Sequence, residues 1–215
     1  DFYPTNNTNA FGMESWSLMH YGNYSNNGRT PCGYTGYEKE FLGWKELVVL
    51  DAPTDVTLLP TNEGGVSYKI VNDANPDEYY VVENRKRTKW DQFLPAEGML
   101  VIHVDYKASE WQNNFVNNYP EHQRMTIIPA DNKLTKESQS GDTYPGTTGN
   151  TELTSTSKPA ATVYMGDYMG KDITDISMND GVVTFSFMKG ALPVPVQHEA
   201  TEVTSSGFTM SWDPA

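Results

Sequence analysis

From residue 46 onward the apolar residues of this chain come in short runs separated by turn-forming residues, a pattern that predicts antiparallel β structure. Candidate strands lie at 46–50, 55–59, 65–72, 78–85, 98–105, 124–129, 160–165, 172–177 and 181–188. Asn62-Glu63-Gly64-Gly65, Asn75-Pro76-Asp77 and Asn179-Asp180-Gly181 punctuate them as turns. The strands do not alternate with helical segments as a βαβ repeat would, so a β-sandwich is expected. One stretch ahead of them differs. Tyr37, Phe41 and Trp44 recur at three-to-four-residue spacing, with Glu38, Lys39 and Glu40 between them, which predicts an amphipathic helix over 34–44 that Gly43 loosens at its end. Residues 1–33, rich in Asn, Gly, Thr and Tyr and without a helical period, read as loops. Residues 131–159 are polar and aperiodic, longer than a packed domain usually leaves unstructured, and such loops tend to be functional, ion-bound or mobile.

Composition narrows the partners. The 215 residues suffice for a real hydrophobic core. With 15 basic against 28 acidic residues the formal charge is -13, which argues against nucleic acid and against anionic membrane surfaces. The 12% aromatic content, with 13 Tyr, suits an extracellular, turn-rich β protein. The single Cys32 excludes an internal disulfide framework. No apolar stretch approaches the roughly 20 residues of a membrane span, and no signal-peptide pattern opens the chain. Asn6-Asn7-Thr8 and Asn23-Tyr24-Ser25 match the glycosylation triplet, a match frequent by chance.

The segment Ser17-Leu18-Met19-His20-Tyr21-Gly22 carries the most specific signal. It resembles the Met-turn of metzincin metalloproteases, the tight turn beneath a zinc ion whose ligands lie on an H-E-x-x-H helix. This sequence contains no H-E-x-x-H. Asp1-Phe2-Tyr3-Pro4 resembles the stretch that ends the extended zinc motif in secreted metalloproteases of the immune-inhibitor-A type. Further blocks follow in that family's order: Glu14 to Met19, Gly33 to Trp44, Tyr79 to Arg85, Gly98 to Asp105 and Gly141 to Gly146. The resemblance spans roughly residues 1–188. It implies that residues 1–45 are the C-terminal subdomain (Met-turn and one helix) of a metzincin-like α+β catalytic domain, and 46–189 an antiparallel β-sandwich. Proline-containing 190–197 reads as a linker, and 198–215 resembles the first strands of a truncated fibronectin type III module.

The resemblance further implies a secreted or extracellular bacterial zinc endopeptidase acting on proteins or peptides, with surface attachment compatible. It gives Asp1 as the candidate third zinc ligand, Met19 as the apolar floor of the site, and Tyr21 as a donor to the oxyanion of the tetrahedral intermediate. The ligand helix and the general base would belong to a missing N-terminal catalytic segment, and the 215-residue chain is expected to be inactive alone.

Other candidates rest on residue type. His20 is expected to be non-ligating. His103 and Asp105 alternate on one face of a strong strand, with His122 and Asp131 elsewhere, and satisfied His–carboxylate pairs are expected there rather than a catalytic or metal centre. Calcium is chemically reasonable at Asp131, Asp142 or the Asn-rich loops, without EF-hand spacing to support it. Cys32 has no nucleophile signature. The competing function is a non-catalytic cell-surface β-sandwich module that binds carbohydrate or protein, with Trp90, Trp111 and Tyr119 as stacking residues.

Overall fold

The computed structural model describes residues 9–190 and 200–211. Two sheets dominate. The larger has five strands in the order β1-β3-β4-β5-β6: β1 (Val48–Val49), β3 (Tyr68–Asn72), β4 (Asn75–Arg85), β5 (Gly98–Asp105) and β6 (Met125–Ile127). The smaller has three, β2 (Thr54–Leu58), β7 (Ile173–Asn179) and β8 (Val182–Phe187), in the order β2-β8-β7. All pairings are antiparallel except β1 with β3, which run parallel. The fold is therefore mainly β, with two sheets as a sandwich requires.

Residues of both sheets close one core, where Val56, Leu58, Phe185 and Phe187 of the smaller sheet meet Ile70, Tyr80, Val82, Met99 and Val101 of the larger. The opposite face of the larger sheet closes a second core. There Tyr79, Val81, Leu100, Ile102 and Val104 pack against Phe11, Met13, Trp16, Tyr37 and Leu47. Every residue of β5 is buried for this reason, and its first part, Met99 to Ile102, reads as a continuous apolar run rather than an alternation. Each fully buried Leu or Ile on that second face contributes roughly 1.5–3 kcal/mol, so the segment ahead of residue 46 is held by sheet contacts rather than by its own periodicity.

Several expectations are corrected. The helix over 34–44 is α1 (Gly36–Phe41), shorter than three turns because the chain turns left-handed at Gly43 (φ 69°). Residues 160–165 form no ladder strand; they make a strap closed by an isolated bridge between Thr162 and Tyr168. The 131–159 loop is in part core. Tyr144 exchanges two backbone hydrogen bonds of 2.8 Å with Met99, Leu153 bridges to Ile173, and Asp142, Thr143 and Tyr144 are buried. Most of the 190–197 linker and Trp212 lie outside the described residues. Within 200–211 the chain makes one bridge, Thr201 to Thr209, and leaves Phe208 and Met210 exposed.

Candidate functional site

Ser17 to Gly22 is a tight turn. The amides of His20 and Gly22 both donate to the Ser17 carbonyl, at 3.1 and 3.0 Å. Gly22 is required by close approach: a Cβ there would sit 2.3 Å from Cys32 Sγ and 2.5 Å from the Ser17 carbonyl oxygen. The turn hangs on the buried Glu38 of α1. One carboxylate oxygen accepts from Ser17 Oγ (2.6 Å) and the Met19 amide (3.3 Å). The other accepts from the Thr35 amide (2.6 Å) and Thr35 Oγ1 (2.9 Å), completing a capping box with the Thr35 side chain. The same side chain therefore starts the helix and fixes the turn.

Beneath lies a second polar layer. Arg85, wholly buried at the end of β4, donates in a fork to Asp91 (3.0 and 2.7 Å) and reaches Glu83 (3.1 Å). Its remaining donors go to the carbonyls of Trp16 and Gly33, each at 3.1 Å. Glu83 in turn accepts from the Gly36 amide at 2.6 Å. A buried guanidinium is tolerated only when paired and fully hydrogen-bonded, and here both carboxylates and two loop carbonyls serve it. The blocks Glu14 to Met19, Gly33 to Trp44 and Tyr79 to Arg85 thus meet at one place.

The turn presents Met19 with 49% of its surface exposed. It lies on the wall of a hollow of about 500 Å³ whose other lining is largely aromatic and apolar: Tyr34, Tyr37, Phe41, Leu42, Tyr106 and Trp111, with Glu38 at its edge. Tyr21 does not share that hollow. Its ring lies 4.7 Å from that of His20 and under the Lys136 ammonium, 4.8 Å from its centroid, on a different depression. His20 is buried, accepts from the Met13 amide at its Nδ1 (3.3 Å), and burial with the nearby Lys136 charge pushes its pKa down to about 4. Asp1 lies outside the described residues.

The remaining candidates divide between structure and surface. His103 Nε2 lies 2.8 Å from Glu78 Oε1 and His122 Nε2 lies 2.7 Å from Asp105 Oδ2, while Arg124 also pairs with Asp105. Tyr164 stacks on both imidazoles, at 5.0 and 3.8 Å, and its hydroxyl donates to the Gln123 carbonyl. His103 and Asp105 therefore serve different partners. Asp142 is buried, and burial pushes its carboxyl up to about 8. The Cys32 thiol is likewise pushed up by burial, to about 12. Trp90 and Tyr119 are exposed, whereas Trp111 packs with its ring tilted against those of Tyr37 and Tyr106.

Among the described residues no group of three or more His, Cys, Asp or Glu side chains is placed to hold a metal ion. Both oxygens of Glu38, the acid nearest Met19, are already engaged by donors. These residues do not by themselves fit a zinc site, which needs three protein ligands converging on one point. Sequence reasoning had not singled out Glu38, Glu83, Arg85 or Asp91. The first was signalled by its spacing, Thr35-x-x-Glu38 ahead of an apolar face, and the next two by charges that end an otherwise apolar strand. Compared with known proteins, the chain matches no family model, no curated protein and no solved structure.

Proposed function

We propose that this chain supplies the Met-bearing floor and the bracing β-sandwich of a secreted, metzincin-like zinc endopeptidase acting on extracellular proteins or peptides. One observation carries the reading: a tight turn, locked by Glu38 from below and by Gly22 from behind, holds Met19 half exposed on an aromatic hollow of about 500 Å³. An apolar, polarizable thioether suits that position because it fills space under a metal without competing strongly for it. The described residues bring no metal ligands together, so zinc would be held by Asp1 together with residues on sequence other than this chain.

Zinc analysis and a casein digest test the reading on two proteins, the 215-residue chain and the same polypeptide extended by the sequence encoded upstream of Asp1. The longer protein is expected to hold one zinc and to cleave casein in a chelator-sensitive manner, and the 215-residue chain to do neither. A longer protein with no H-E-x-x-H, or one that is folded yet zinc-free and inactive, would sink the proposal. So would stoichiometric, micromolar zinc and cleavage by the short chain.

A further inference from the structure

The depression that Tyr21 lines is also bounded by Glu14, Tyr24, Phe93, Lys136 and Gln139, and is a shallow, open hollow of about 500 Å³. Glu14 is an unusual residue to find there. It is only 4% exposed, and its backbone is left-handed (φ 40°). Burial pushes its carboxyl up, the Lys136 ammonium pulls it down, and Glu137 pushes it up again. A carboxylate so placed calls for a cation beside it.

Lys136 supplies one, loosely. Its Nζ lies 3.4 Å from Glu14 Oε1, longer than a well-made charge-assisted bond, and 4.8 Å from the centroid of the Tyr21 ring. The lysine side chain is 61% exposed. The Tyr24 ring stands 6.2 Å from that of Tyr21, and Tyr24 and Phe93 both leave surface to solvent. A buried carboxylate and an aromatic ring that share one ammonium, with further aromatic residues at the rim, form the kind of arrangement that recognises alkylammonium and guanidinium groups. The formal charge of -13 would draw cationic partners toward it.

We propose that this depression is a binding site for a basic side chain, lysyl or arginyl, of a peptide or protein partner, and that Lys136 is a built-in occupant which the incoming cation displaces. Glu14 takes the charge, Tyr21 the face of the cation, and Tyr24 and Phe93 the stem. The site is independent of the hollow at Met19 and stands whether or not the chain belongs to a peptidase.

Binding of Nα-acetyl-lysine amide and of its uncharged analogue Nα-acetyl-norleucine amide, followed by NMR chemical-shift titration, tests the proposal on the whole chain. Lys136→Ala should tighten binding of the lysine probe by roughly three- to tenfold over the unsubstituted protein, the range spanned by an exposed ion pair with a cation–π contact. Added salt should weaken it. The norleucine probe should not bind. Glu14→Gln in the Lys136→Ala background should abolish the gain. Should that buried change impair folding, Tyr24→Ala in the same background takes its place, since Tyr24 is exposed, and should weaken the lysine probe about threefold or more. Equal affinity of Lys136→Ala and the unsubstituted protein, equal binding of the norleucine probe, or indifference to Glu14 or Tyr24 would each overturn the proposal.

Discussion

The Trp16 indole Nε1 donates a 2.7 Å hydrogen bond to Asp142 Oδ2 across 126 residues of sequence. On the other side of the same residue, the Trp16 carbonyl accepts from Arg85. The segment leading into the turn is thereby fixed between the 131–159 loop and the end of β4. Trp16 itself is wholly buried in the second core, so its position depends on polar partners that are themselves removed from water.

Asp142 makes that link pH-dependent. Burial holds its proton in the folded chain to about pH 8, against a reference value of 3.8. The folded state binds more protons between those values, so this group's contribution to stability is full below about pH 4 and is lost as pH rises toward 8. Asp142→Asn keeps an acceptor for Trp16 and cannot ionise. Urea unfolding at several pH values should show the decline between pH 4 and 8 flattened in the variant. Parallel pH profiles for the two proteins would show that Asp142 is not the group responsible.

Arg85 should be intolerant of both apolar and conservative replacement. Its removal leaves the buried Glu83 and Asp91 uncompensated, a loss on the order of 3–5 kcal/mol. Lysine retains the charge but not the planar fork that serves two carboxylates and two carbonyls, so Arg85→Lys should recover little. Urea denaturation of Arg85→Met and Arg85→Lys is the measurement. Recovery by lysine to within about 1 kcal/mol of the unsubstituted protein would mean that charge alone matters.

Much of the sheet was legible because its strands obey simple local rules. β5 (Gly98–Asp105) was predicted at 98–105, and β8 (Val182–Phe187) at 181–188, from apolar runs bounded by turn residues. The run at 160–165 misled because it is held by side chains elsewhere: the Tyr164 and Met165 amides donate to Glu78, 86 and 87 residues away. Helix α1 was visible through Tyr37 and Phe41, but its length was set by a left-handed glycine that the apolar spacing ran across. The supports of the candidate site were harder to read. Glu38, Arg85 and Asp91 look like surface charges in sequence, yet all three are buried, Arg85 paired with Asp91 and Glu38 bonded to Ser17 and Thr35 through tertiary closure. The pairing of Glu14 with Lys136 is likewise tertiary, with 122 residues between their numbers.

Gly22 links the turn to the lone thiol. A methyl group there would overlap Cys32 Sγ and the Ser17 carbonyl, so Gly22→Ala should force the turn outward at a cost of roughly 1–3 kcal/mol. Cys32 is buried and its thiol is pushed up to about 12, which leaves almost no thiolate at neutral pH. Titration with a disulfide reagent should therefore be slow in the unsubstituted protein and clearly faster in Gly22→Ala. If the two react at the same rate and unfold at the same urea concentration, the close packing of Gly22 on Cys32 is incorrect.

Glu78 offers a test of the strap that sequence reasoning read as a strand. Burial alone would push its carboxyl up, yet donors from His103 and the amides of Tyr164 and Met165 outweigh it and hold the group down at about 2. Asn72 Nδ2 adds a further donor at 3.0 Å. A depressed folded value means that the stabilisation is present above the reference pKa of 4.5 and is lost as pH falls toward 2. Glu78→Gln replaces one of two acceptor oxygens by a donor facing other donors, so it should lose about 2–4 kcal/mol at pH 7 and a diminishing amount as the pH approaches 2. The loss should be local first, with the Tyr164 and Met165 amides exchanging faster with deuterium than those of β5. Unchanged exchange at those two amides, with stability equal to the unsubstituted protein at pH 7, would refute the assignment of Glu78 as the anchor of the strap.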